Sequence, residues 1–69
     1  MRIEWIDEFE IQVKVENGTV VISANREGML SLAKQLVALA DRAPGDHIHY
    51  DENNSLETGS AEMIIERVR

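Results

Sequence analysis

The sequence predicts an α+β fold, a two-layer sandwich in which an antiparallel sheet of four or five strands carries one helix on one face, in the order β-β-α-β-β. Three observations predict it. Alternating apolar residues flank Asn17-Gly18 on both sides, a helical periodicity sets in after Asn25, and alternation returns twice beyond Pro44-Gly45. The chain of 69 residues forms one domain over residues 1–69, without internal repeat, linker or low-complexity segment.

Residues 9–15 place Phe9, Ile11, Val13 and Val15 on one side and Glu10, Gln12 and Lys14 on the other, which is the pattern of a half-buried strand. Asn17-Gly18 then separates them from Val20-Val21-Ile22-Ser23, and both turn residues tolerate the positive φ of a two-residue hairpin turn. That turn fixes the register. With Glu16 opposite Thr19, Val15 pairs with Val20 and Val13 with Ile22, so the apolar sides coincide, while Val21 falls on the other face beside Lys14.

Met29, Leu32, Ala33, Leu36, Val37 and Ala40 recur at helical spacing and predict the buried stripe of the helix. Asn25 is its expected N-cap, and Arg42-Ala43-Pro44-Gly45 its stop. Gly28 in the first turn costs about 1 kcal/mol against alanine; close approach to the sheet and fraying of the turn are both open as its reason. Beyond the stop, His47-Ile48-His49-Tyr50 alternates again, and residues 61–68 read as a last strand, with Ala61, Met63 and Ile65 opposite Glu62, Ile64 and Glu66. Residues 2–6 read either as a short first strand bending at Asp7-Glu8 or as a frayed terminus.

Composition narrows the function. Thirteen acidic and seven basic residues give a formal charge of −6, which opposes the phosphate contacts that nucleic-acid binding needs and favours a basic partner. No cysteine is present, so disulfides, thiolate metal sites and cysteine nucleophiles are excluded. No apolar run reaches the length of a membrane helix, and Met1-Arg2-Ile3-Glu4 has no signal-peptide pattern, so a cytoplasmic protein without membrane contact is expected. The serines lie in no nucleophile elbow and there is no glycine-rich phosphate loop, so no enzyme and no cofactor is expected.

Two metal-like patterns remain. Asp51, Asn53, Ser55 and Glu62 fall at the first, third, fifth and twelfth positions of a calcium loop, but Leu56 stands where that loop needs glycine. His47 and His49 point to one face of a strand and become metal ligands if Asp51, Glu62 or Glu66 joins them; exposed histidines bonded to carboxylates give the same pattern. Trp5 either covers the sheet edge or anchors a contact with a partner.

Asn25-Arg26-Glu27-Gly28-Met29-Leu30-Ser31-Leu32-Ala33, His47-Ile48-His49-Tyr50-Asp51-Glu52-Asn53-Asn54-Ser55-Leu56-Glu57 and Gly59-Ser60-Ala61-Glu62-Met63-Ile64-Ile65-Glu66, in that order, resemble the immunity protein 32 family of bacterial polymorphic toxin systems. The resemblance runs over about residues 20–68. It implies a small α+β protein that neutralises a cognate toxin by direct binding. The family commonly carries an aromatic residue at the position of Asn53, so asparagine there removes one contact anchor.

The matching positions are His47, His49, Asp51, Glu52, Asn54, Leu56 and Glu57, with Glu62 on the following strand. Asp51, Glu52, Asn54, Leu56, Glu57 and Glu62, together with Asn53 and Glu66, are the expected partner-binding residues, and Leu56, Ile64 or Trp5 the apolar anchor. Asn54 and Leu56 have a second reading, as an Asx turn and a core plug. The partner implied is a protein toxin, a basic nuclease being one kind that suits an acidic surface. Two alternatives stand beside it: a small metal-binding protein using His47 and His49 with a carboxylate, and a homodimeric structural module that pairs through a sheet face bearing Val21 and Ile64.

Overall fold

The computed structural model describes residues 2–69. Along the chain lie β1 (Ile11–Glu16), β2 (Thr19–Ala24), α1 (Arg26–Ala40), β3 (His47–Tyr50) and β4 (Met63–Glu66). The molecule measures 31 × 30 × 19 Å, the short axis accommodating two layers. Among the described residues, no helix is long and apolar enough to cross a membrane.

The first hairpin has the register its turn dictates: Glu16 faces Thr19, Val15 faces Val20, Val13 faces Ile22, and Lys14 faces Val21. Asn17 and Gly18 take φ of 50° and 80°, the left-handed pair that matches the twist of the flanking strands. β3 and β4 form a second antiparallel pair, with His47 opposite Glu66, His49 opposite Ile64 and Tyr50 opposite Met63.

The single sheet of four or five strands does not form; each hairpin is its own two-stranded sheet. The reason lies in residues 57–61, which run beside the outer edge of β1. Glu57 N donates to Ile11 O and Ala61 N to Val13 O, at 2.9 and 2.8 Å, but between them the chain makes a turn closed by Ser60 N on Glu57 O. Four residues thus span what two cover on β1, and the Ser60 hydroxyl stands in for a carbonyl by accepting from Val13 N. The ladder breaks while the edge stays bonded.

Residues 2–6 form no strand. Their polar groups go to the helix instead: Ile6 N donates to Ser31 Oγ at 2.9 Å, and Gln35 Nε2 donates to Glu4 O at 2.8 Å. Trp5 stacks on Phe9 with ring centroids 4.2 Å apart and meets Tyr50 edge-on at 6.2 Å, so its ring is committed within the molecule.

This docking corrects the expected helix stripe. The buried positions are Gly28, Ser31, Gln35 and Leu39, while Met29, Leu36 and Val37 are exposed. At 100° per residue the buried face is rotated by about one residue's step from the apolar stripe. Ser31 and Gln35 are polar yet fully bonded: Ser31 Oγ donates to Glu27 O, and Tyr50 Oη donates to Gln35 Oε1 at 2.7 Å. Buried polar groups with partners carry no desolvation penalty large enough to expel them.

The core gathers Ile11, Val13, Leu39, Ile48, Tyr50 and Leu56, with Trp5, Phe9, Leu32, Met63 and Ile65 packed around them. Asn25 joins helix to hairpin. Its Oδ1 accepts from Gly28 N as the N-cap and from Glu10 N, and its Nδ2 donates to Glu8 O. Close approach is the reason for Gly28: a Cβ there would collide with Glu10 O and lie 2.9 Å from Ile11 Cγ1.

Gly28→Ala therefore destabilises the fold by about 1–3 kcal/mol through overpacking, outweighing the helix-propensity gain of about 1 kcal/mol. Urea denaturation followed by the helical signal measures this, and a stabilised variant contradicts the close contact.

Candidate functional site

The candidate site is the outer face of the β3–β4 hairpin and the loop that joins its strands. Alternation sends Ile48, Tyr50, Met63 and Ile65 inward and His47, His49, Ile64 and Glu66 outward. Extending the pairing by one residue sets Asp51 beside Glu62. Tyr50 anchors the inner face: it is fully buried, and burial raises its phenol pKa above the ordinary value, so it stays a neutral donor to Gln35.

The loop begins as a tight turn built on Asp51. The Asp51 carbonyl accepts from Asn54, Ser55 and Leu56 N–H groups, and its Oδ1 accepts from Asn53 N at 2.8 Å. Asn54 closes the turn from the other side, Oδ1 accepting from Asp51 N and Nδ2 donating to His49 O, with the Ser55 hydroxyl also donating to Oδ1. Glu52 Oε2 accepts from Gly59 N at 2.8 Å, tying the loop's two ends together. This is Asx-turn chemistry, and it explains the run of Asp and Asn.

Several expected contact residues thereby acquire structural work. Leu56 is 4 % exposed and sits in the core, so it is no anchor for a partner; the turn on Asp51 aims it inward. Its burial also removes the calcium-loop reading, since the chain there plugs the core instead of turning around an ion. Asp51 and Asn54 hold the turn. Glu52, Asn53, Glu57, Glu62 and Glu66 remain exposed to solvent.

The outer face has an apolar centre. Ile64 is 59 % exposed, lies opposite His49, and is flanked by Glu66 on β4 and by Glu62 just before the strand. With Leu56 buried and Trp5 stacked on Phe9, Ile64 is the anchor left from the expected three. Val21 and Ile64 belong to different sheets, so they do not share one sheet face.

The two histidines part company. His49 Nε2 lies 3.3 Å from Glu62 Oε2 and 3.9 Å from Asp51 Oδ2, and one ligand atom from each of the three lies within 4.8 Å of the others. His47 stands at the far end of the hairpin opposite Glu66, with Nδ1 3.4 Å from Gly45 O, and is outside that cluster. The arrangement sets an imidazole between two carboxylates and can supply three ligands to a divalent cation.

Comparison with known proteins adds one finding: residues 19–68 match the family model described as Immunity protein 32. No curated protein and no solved structure matches the chain. The matched region takes in β2, α1 and the whole β3–loop–β4 unit. The chain belongs to the Immunity protein 32 family.

Proposed function

We propose that this protein binds and neutralises a cognate bacterial toxin, without catalysis or cofactor, through the outer face of β3–β4 and the acidic loop beside it. The observation that carries the reading is Ile64, an exposed apolar side chain ringed by His49, Glu62 and Glu66. An apolar centre with a polar rim is the pattern of an interaction hot spot. Family membership supplies the class of partner.

Glu52, Asn53, Glu57, Glu62 and Glu66 form the recognition rim, and Asp51 and Asn54 hold its shape. A chain of net charge −6 attracts a basic toxin, and the substrate groove of a nuclease is such a surface. The carboxylates speed association and select the partner, while Ile64 supplies affinity by leaving water. The rim is pre-formed by its own hydrogen bonds, which lowers the ordering cost of binding.

Two variants test this against the proposed cognate toxin. Ile64→Ala is expected to weaken binding by about 2 kcal/mol. Alanine at Glu57, Glu62 and Glu66 together is expected to slow association about tenfold at low salt and flatten its salt dependence. Both variants should keep the wild-type helical signal. Wild-type affinity and protection in both would remove this face from the interface.

A second reading rests on His49, Asp51 and Glu62, whose ligand atoms converge within 4.8 Å. A zinc-class cation held there would rigidify the loop end of the hairpin. Untagged protein is the material to test. Under the toxin reading it carries no stoichiometric metal, and its Tm does not rise with zinc, nickel or calcium. A bound metal lost on His49→Ala would establish the second reading instead.

A further inference from the structure

The outer edge of β2 is open, and nothing in the toxin-binding reading uses it. In a two-residue hairpin the residues flanking the turn exchange hydrogen bonds, so narrow pairs fall at Glu16–Thr19, Lys14–Val21 and Gln12–Ser23. The N–H and C=O groups of Val20 and Ile22 therefore point away from β1. The corresponding outward groups on β1 belong to Ile11, Val13 and Val15, and residues 57–61 bond Ile11 O and both groups of Val13. Among the described residues, no backbone group outside the hairpin bonds Val20 or Ile22.

Protein sheets protect such edges with charge, proline or a bulge. β2, Thr19-Val20-Val21-Ile22-Ser23-Ala24, has none of these, and Val20 and Ile22 are 60 % and 45 % exposed. The exposed area of the whole chain is 4932 Å². A compact monomer of 7.8 kDa exposes about 4,400 Å². The excess, about 500 Å², is of the order of the ~800 Å² per partner that a standard stable interface covers.

We propose that β2 pairs antiparallel with β2 of a second copy, making a continuous four-stranded sheet across a two-fold axis. With the axis through Val21, Val20 stands opposite Ile22 of the other copy, and both are the outward-bonding residues that a narrow pair requires. The same register brings the two Val21 side chains together on the outer face. A second copy fits better than a strand of the toxin. β2 has no charged side chain to attract a basic partner, and it lies across the hairpin from residues 57–61, away from the acidic rim. Dimerisation thus leaves both toxin-binding faces free.

Light scattering on the wild-type chain at high micromolar concentration is expected to give twice 7.8 kDa, and Val20→Lys is expected to give the monomer mass. Amide hydrogen exchange on the wild-type chain decides the case even if the variant unfolds. The Val20 and Ile22 amides should exchange at least about tenfold more slowly in concentrated than in dilute solution. A monomeric wild type overturns the proposal, as does a dimer in which those two amides exchange at one rate at every concentration. Protection of them that arises only when the toxin is added assigns the edge to the toxin and likewise overturns it.

Discussion

The contact between Gly28 and the Glu10 carbonyl sets how close the helix can come to the first hairpin, and the rest of the fold is arranged around it. The absent side chain at position 28 lets α1 lie against β1. Asn25 secures the approach from both sides, capping the helix and bonding the backbone at Glu8 and Glu10. From that junction the face bearing Ser31, Gln35 and Leu39 is turned inward, and Gln35 meets the Tyr50 hydroxyl. Tyr50 in turn fixes the inner face of β3, and strand alternation then dictates which residues look outward.

The loop between β3 and β4 divides its labour. Asp51, Asn54 and Leu56 are spent on shape: a turn around one carbonyl, an amide closing it, and an aliphatic plug in the core. Glu57 contributes its backbone to the edge of β1 and leaves its carboxylate in water. A loop built this way is stiff because its neighbours hold it. The cost is sheet continuity, since the turn at residues 57–60 prevents the two hairpins from joining. The open edge of β2 and the exposed helix residues Met29, Leu36 and Val37 show how little apolar surface a chain of 69 residues can cover alone.

Much of the fold was legible in the sequence where one local rule acts by itself. Asn17-Gly18 dictates the hairpin register, and Asn25 the helix start, because turn and cap chemistry are settled within a few residues. The helix face was not legible. Its apolar stripe pointed to Met29, Leu36 and Val37, and the buried Ser31 and Gln35 find partners some 25 to 31 residues away, at Ile6 and Glu4. A still longer separation, 47 residues, hid the broken sheet, which depends on Ser60 replacing a carbonyl for Val13. For the candidate site, the acidic stretch mixes Asp51 and Asn54, which build the turn, with Glu57 and Glu62, which face solvent. The Asx-turn reading of Asn54 holds, while the part Asp51 plays depends on its carbonyl, which composition does not show. Leu56 read as either an anchor or a core plug and Ile64 as an anchor; the turn on Asp51 decides for the plug and leaves Ile64 outside.

The account stands on Ile64 being the centre of the toxin-binding face. Methyl NMR of isoleucine-labelled protein, titrated with the proposed cognate toxin, reads that claim at single residues. The account predicts that the Ile64 methyl shifts or broadens with binding while the Ile22 methyl, across the molecule on β2, stays in place. An unchanged Ile64 signal in a formed complex would contradict it.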